Sequence, residues 1–311
     1  MEVTAKASKS LYDVMVVGEY YFDLIFRGLP DVPKIGADLW AKEFEWVPGA
    51  AFSTALALTR LGTEAGWWCA FGNDVFSQMI IEEARREGID EGLFIHFQKP
   101  WRRLSSAFSF THDRGFISYS EDRDPSPLPA DLERIRPQIL LLQGFSLAPE
   151  RLALVDAARR LGIKVCSDCQ HIEMDLSAPG LIGALRQIDV FLPNESEAKA
   201  LTGESDINVA LKILAQYCPT VVIKCGADGA IASENGQIYH VPALAVDVFD
   251  TTGAGDSFNA GFVHGILHEP DFYSALEVAV ICGSLAVTGY GGRNLPFHSD
   301  LDQYRRRRAA I

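Results

Sequence analysis

Short apolar runs alternate with longer segments of helical period along most of the chain. Asp13-Val14-Met15-Val16-Val17-Gly18 is a continuous apolar run that ends at a glycine, the pattern of a strand buried on both faces. Phe52 to Leu61 is rich in alanine and leucine and stops at Gly62, which reads as a helix with a glycine terminator. Gly66 to Phe71 predicts a second strand. Ser77 to Glu87, apolar at Met79, Ile80, Ile81 and Ala84, predicts a second helix closed by Gly88. The rhythm continues with strands at Ile139 to Leu142, Ile163 to Ser167, Val190 to Leu192 and Val221 to Ile223, and with helices at Pro149 to Leu161 and Glu195 to Leu201. Strand and helix in alternation predict an α/β fold, a mostly parallel sheet with helices on both faces.

Two stretches, about 34–48 and 95–121, break this rhythm. They alternate polar and apolar residues, as in Phe108-Ser109-Phe110-Thr111 and Phe116-Ile117-Ser118-Tyr119, and predict an antiparallel flap turning at Asp113-Arg114-Gly115. The flap is discontinuous in sequence, so it is expected to sit on one main domain spanning 12–300, with 1–11 and 301–311 as terminal segments. Arg102, Arg103, Phe108, Phe110 and His112 of the flap either face a bound small molecule or serve flap packing or a homodimer interface. Trp67 and Trp68 fall inside a strand and read as core.

The formal charge of −13 makes nucleic acid an unexpected partner. No run approaches 18 apolar residues and the start of the chain has no apolar leader segment, so a soluble, cytoplasmic protein with no membrane partner is expected. The six cysteines are scattered and read as reduced thiols. Cys166 and Cys169 form a C-x-x-C without further zinc ligands nearby, a spacing that fits strand-end core residues as well as a redox or metal pair. Arg305 to Arg308 read as a solvated tail.

One run carries specific chemistry: Asp250-Thr251-Thr252-Gly253-Ala254-Gly255-Asp256-Ser257-Phe258, directly ahead of a helix-period segment with Phe258, Phe262 and Ile266. Two glycines around a small residue let backbone N–H groups converge at a helix N-terminus, where unpaired amides and the helix dipole favour an anion. Asp256 then stands in the first helical turn, placed to accept a hydroxyl proton while the amides stabilise charge on a transferring phosphoryl group. A glycine-rich turn with a capping aspartate is the bland alternative for the G-x-G-D core. The chain has neither a G-x-x-x-x-G-K-[ST] phosphate loop nor a G-x-G-x-x-G after its first strand.

The nine-residue run resembles the C-terminal signature of the ribokinase-like (PfkB) carbohydrate kinases, and the resemblance extends from about Asp13 to Pro296. Gly18 and Asp23 are similar to the family's first strand and acceptor-binding aspartate. Gly49 to Gly62, with Ala55 and Arg60-Leu61-Gly62, resembles the N-terminal signature. Gly72-Asn73-Asp74-Val75-Phe76 resembles the G-x-D-x-[FG] segment, Asn194-Glu195-Ser196-Glu197 the N-x-x-E motif, and Lys224-Cys225-Gly226-Ala227-Asp228-Gly229 the K-x-G-x-x-G loop.

The resemblance implies a three-layer α/β/α fold with a small β-flap, or lid. It implies ATP- and Mg-dependent phosphorylation of a hydroxyl, a primary one, of a sugar. Asp256 would be the general base, and Gly253, Ala254 and Gly255 the anion hole. Asp23, Gly49, Ser53, Phe108 and Phe110 would bind the acceptor, and Asn194, Lys224, Gly226, Gly229, Gly253 and Gly255 the nucleotide. Asn194 and Glu197 would hold Mg2+ through water, a role compatible with a helix-capping box at the same residues. Asp250 and Thr252 occupy positions that bind a monovalent cation such as K+ in relatives, and Gly289, Gly291 and Gly292 would shape the adenine end or that cation loop.

The departures concern the acceptor. Pro48-Gly49 stands where the family has Gly-Gly, and Ser53 where it has asparagine. Ser77 replaces a common glycine. Asp168-Cys169-Gln170-His171 replaces Asp-Pro-Asn with its following arginine, which weighs against an acidic sugar and leaves His171 as a candidate acceptor contact. A nucleoside or other small-alcohol kinase, or a non-catalytic binding homologue, are the alternative readings.

Overall fold

The computed structural model describes residues 10–32, 35–36, 38–110, 113–170, 173–289 and 294–309. In chain order the strands are β1 (Val14–Val17), β2 (Tyr20–Arg27), β3 (Glu43–Ala50), β4 (Ala65–Phe71), β5 (Phe94–His96), β6 (Arg103–Phe110), β7 (Asp113–Ser120), β8 (Ile139–Leu142), β9 (Lys164–Asp168), β10 (Val190–Leu192), β11 (Thr220–Lys224), β12 (Ala230–Glu234) and β13 (Gln237–Val241). The α-helices are α1 (Ala51–Arg60), α2 (Val75–Arg86), α3 (Pro129–Ile135), α4 (Pro149–Arg160), α5 (Leu181–Leu185), α6 (Glu195–Thr202), α7 (Ile207–Leu214), α8 (Ala254–His268), α9 (Phe272–Ala286) and α10 (His298–Ala309).

Nine strands form the main sheet in the order β13-β12-β11-β10-β9-β8-β1-β4-β5. It is parallel from β5 to β11 and ends in the antiparallel strands β12 and β13. Alternation along each strand sorts side chains to two faces. Val14 and Val16 of β1 join a core with Leu141, Leu192 and Val222 under α1, α2, α8 and α9. Met15 and Val17 point the other way, into a core with Leu140, Phe191 and Val221 under α3 to α7. This is the predicted three-layer arrangement, and it puts the ends of β1, β8, β9 and β11 along one edge, where open α/β sheets bind ligands.

Four strands form a separate small sheet in the order β3-β2-β6-β7. Its composition corrects the flap expected at 34–48 and 95–121. β2 (Tyr20–Arg27), which the two expected segments leave out, is one of its two central strands. The first flap segment contributes only from Glu43 onward, and Phe94–His96 pairs with β4 in the main sheet. Asp113, Arg114 and Gly115 lie within β7, opposite Phe110, Ser109 and Phe108, so they are not the turn. Pro48 sits on the edge strand β3, where a missing backbone N–H is tolerated. Leu301, placed in a terminal segment by the sequence, is buried with Ile281 and Leu285 of α9, and the backbone of Arg305 to Arg308 is helical rather than a free tail. Among the described residues no helix is long and apolar enough to cross a membrane.

Candidate active site

The loop entering α8 is built from its own side chains. Asp250 Oδ1 accepts hydrogen bonds from Thr252 N at 3.0 Å and Thr252 Oγ1 at 2.8 Å, which folds the chain into an Asx-type turn. Gly253 follows in the left-handed region, at φ 76°, where an L side chain is strained. A Cβ added there would also lie 3.2 Å from Ser53 Oγ, so the loop and the start of α1 face each other closely. Helix α8 starts at Ala254, and the amides of its first turn have no acceptor within the helix. That of Ala254 makes a long 3.4 Å bond to Thr251 O.

Asp256 sits in this first turn, half-buried, with its backbone carbonyl accepting from Thr54 Oγ1 of α1 at 3.4 Å. Burial pushes its carboxyl up to about 8; the nearby Asp168 adds to the rise, Lys224 opposes it, and Asp23 adds a further contribution. Lys224, the last residue of β11, donates to Asp168 Oδ1 at 2.7 Å and to Asn259 Oδ1 at 3.2 Å. Its ammonium borders the glycine loop, 3.7 Å from where a Gly255 Cβ would stand. Asp168 ends β9, and Asn259 lies one turn beyond Asp256 on α8. The sequence pointed to neither as a partner of Lys224. A polar residue between Phe258 and Ala260 on an otherwise apolar stretch was the available signal for Asn259.

Asp23 projects from β2 of the small sheet. Its carboxylate fills the space at Gly49 on β3, so that a side chain at 49 would collide with Asp23 Oδ2. Burial, then the charge of Asp250, push the Asp23 carboxyl up to about 7. Ser53, 3% exposed, lies on α1 four residues after Gly49, with its Oγ facing the glycine loop at Gly253. Asp23, Gly49, Ser53 and Asp256 thus converge although more than 200 residues separate the first from the last.

Other candidates take quieter places. Asn194 and Glu197 form a reciprocal capping box at the start of α6: Asn194 Oδ1 accepts from Glu197 N at 2.9 Å, and Glu197 Oε2 from Asn194 N at 2.8 Å. The backbone of Asn194 bridges to that of Lys224, which sets the box beside the loop. Gly226 and Gly229 shape the connection between β11 and β12, and a side chain at 229 would strike the backbone of Val241 to Ala243. Asp74 caps α2 and also accepts from Trp101 N at 2.8 Å, with Ser77 Oγ donating to it at 3.0 Å, so the G-x-D segment and its Ser77 are structural here. The Phe108 ring covers Gly115 on the neighbouring strand, which is the flap-packing alternative. Arg102 pairs with Glu121 on the surface, and Arg103 is fully buried among Glu19, Asp122 and Asp124. Cys166 and Cys169 belong to different cores on opposite faces of the sheet, and burial raises both thiols, so the C-x-x-C is not a pair. The Phe110 side chain, His112, His171, Gly291 and Gly292 lie outside the described residues.

Known proteins are similar to this chain over most of its length. The family model described as pfkB family carbohydrate kinase matches residues 13–298. The chain is 28% identical over 292 residues to a ribokinase of Lactococcus lactis, covering 90% of this chain and 92% of that protein. It is 27% identical over 296 residues to a deoxyribokinase of Salmonella typhi, covering 90% and 94%. The structure of Arabidopsis thaliana ribokinase complexed with ribose and ATP superposes with a TM-score of 0.80 at 22% identity, over 94% of this chain and 98% of that one.

Proposed function

The chain belongs to the pfkB family of carbohydrate kinases, and from that premise we propose that it transfers the γ-phosphoryl group of MgATP to a hydroxyl, a primary one, of a neutral sugar. The observation that carries this reading is the position of Asp256: in the first turn of α8, beside the glycine loop and Lys224, and close enough to Asp23 to feel its charge.

Asp256 takes the hydroxyl proton as the acceptor oxygen attacks, and a carboxyl raised by burial suits that task near neutral pH. The amides of Gly253 to Gly255, with the α8 dipole, stabilise charge on the moving phosphoryl group. Lys224 adds a positive charge at the same point. Asp23 and Ser53 orient the acceptor, and the small sheet excludes water as a lid.

Among the described residues no cluster of three or more His, Cys, Asp or Glu would cage a metal. That suits a Mg2+ that arrives on the nucleotide and keeps most of its waters. Asn194 and Glu197 would hold it through such waters, since their side chains also close the α6 cap. Bound there, the ion would neutralise charge on the phosphates. A monovalent cation at Asp250 and Thr252 would use their backbone oxygens, because the Asp250 carboxylate is engaged by Thr252 and Arg27.

A neutral acceptor follows from local charge. Asp23, Asp168, Asp250 and Asp256 surround the cleft, with Lys224 and Arg27 as the neighbouring cations. Lys224 offsets Asp168 and Arg27 offsets Asp250, so the net charge comes from Asp23 and Asp256 as they ionise near about 7 and about 8. An anionic sugar would meet a cleft that turns negative as pH rises past neutrality. A nucleoside or small alcohol satisfies the same argument, and the lid sheet is the expected face of a homodimer.

The test is coupled ADP release with MgATP across pentoses, hexoses, sugar acids and nucleosides. Turnover is expected on a neutral sugar, with sugar acids poor. Asp256→Asn should lower kcat by about 10²- to 10⁴-fold with ATP binding retained. Full activity in that variant would remove Asp256 from the role of base. Binding of ATP without turnover on any alcohol would favour a non-catalytic homologue.

A further inference from the structure

Strand β2 is tied to the body of the molecule at both ends, and the two ties differ in kind. At the end nearest the main sheet stands Arg103 of β6, with a side chain of 0% exposure. Its guanidinium donates to Asp124 Oδ1 at 2.5 Å and Asp122 O at 2.9 Å, lies 3.3 Å from Glu19 Oε2, and stacks 5.6 Å from the rings of Tyr20 and Trp101. Glu19 and Tyr20 mark the entry into β2, Trp101 the entry into β6, and Asp122 and Asp124 the exit from β7. One buried cation therefore closes the base of the small sheet, and breaking it would strand buried charges.

Seven residues farther, roughly 23 Å at the rise of an extended strand, Arg27 ends β2 and meets the body again. Its Nη2 lies 3.5 Å from Asp250 Oδ2, with the two side chains 18% and 11% exposed. Asp250 is the residue whose other oxygen folds the turn at Thr252 and so sets up Gly253 to Gly255. One carboxylate is thus shared between the small sheet and the glycine loop. Asp23 lies on the same strand between the two ties.

We propose that Arg27 is a positioning residue, a latch through which the closed lid sheet bears, by way of Asp250, on the loop that stabilises the transferring phosphoryl group. The proposal rests on the kinase reading above. A partly solvated ion pair shifts an equilibrium by about two- to five-fold, so this tie opens readily while the Arg103 base stays fixed as the pivot. Closing the lid then places Asp23 over the acceptor and tightens the Asp250 turn in one movement.

The experiment compares the full chain with Arg27→Met and Arg27→Lys, by amide hydrogen exchange without ligand and by steady-state kinetics with MgATP and the best neutral sugar of the panel. In R27M, exchange should quicken in Tyr20–Arg27, Glu43–Ala50 and residues 249–255 and stay unchanged in buried β8. The acceptor KM should rise about two- to five-fold, with kcat and the ATP KM changing less and R27K intermediate. Raising salt from about 0.05 to about 0.5 M should reproduce the rise in the wild type and leave R27M unmoved. Unchanged exchange in R27M overturns the latch. So does faster exchange throughout the molecule, which marks a general stabiliser, and so does a rise confined to the ATP KM, which marks a nucleotide contact. If no sugar is turned over, the kinase reading falls on that result, and the exchange data still decide the latch.

Discussion

At the scale of single residues, Asp256 is governed by where its charge can go. Its carboxyl is pushed up to about 8 by burial and then by Asp168, with Lys224 working against both. A base must be deprotonated to act, so kcat/KM should climb with pH and reach half its plateau near pH 8. Lys224→Met should move that limb to higher pH, because it removes the opposing cation. The same shift has a stability consequence of definite sign. Between the unfolded value of 3.8 and about 8, the folded chain holds a proton that the unfolded chain has released. Stability from this group is therefore present at low pH and lost as pH rises through the folded value. Asp256→Asn, which removes the titration, should gain in Tm relative to wild type as pH goes from 5 to 8.5; a difference flat with pH would show that the carboxyl is not raised. Asp256 and its glycines were legible in the sequence because they are contiguous and obey local rules of helix initiation. The ion pair of Lys224 with Asp168, and the bond to Asn259, were not, since both depend on three elements meeting.

At the scale of elements, β2 and β3 show why the flap was only half legible. Tyr20-Tyr21-Phe22-Asp23-Leu24-Ile25-Phe26-Arg27 is apolar almost throughout and follows β1 after two residues, so it carries no period-two signal to separate it. Its placement in the small sheet puts Asp23 on the lid rather than in the main sheet. Antiparallel register sets Tyr21 opposite Gly49 and lets the Asp23 carboxylate lie in the gap that glycine leaves. Gly49→Ala should therefore displace Asp23 and raise the acceptor KM while the ATP KM holds, at a stability cost of about 1–3 kcal/mol from overpacking. Parallel kinetics and urea unfolding would check it, and an unaltered acceptor KM would free Asp23 from the acceptor. The helices were easier: Asn194 with Glu197 is a cap whose bonds run within a few residues, so the sequence alone announces it, whereas Asp74, read only as part of the G-x-D segment, also caps α2, which starts at Val75 rather than Ser77.

At the scale of the whole molecule, the small sheet leaves apolar side chains in solvent. Ile117 and Tyr119 on the edge strand β7 are 70% and 50% exposed, and Phe44 on the opposite edge β3 is 58% exposed. An exposed apolar edge strand invites pairing, and a second copy of the chain would cover it. Sedimentation equilibrium should give a dimer for the wild type and a monomer for Ile117→Glu; a monomeric wild type would refute the interface.

The sequence by itself determined the layered α/β fold, strands β1, β4 and β8 to β11 with helices α1, α2, α4 and α6, and the loop of Asp250 to Asp256, because these follow from periodicity and from turns closed within a few residues. Tertiary structure alone decided that Asp23 rides on the lid and that Cys166 and Cys169 face opposite cores. It also decided that Arg103 is buried among Glu19, Asp122 and Asp124 rather than facing an acceptor, and that Arg27 reaches Asp250. Each of these depends on strand register and on charges that share a burial site, and such pairings link residues up to 223 positions apart, beyond the reach of any local pattern.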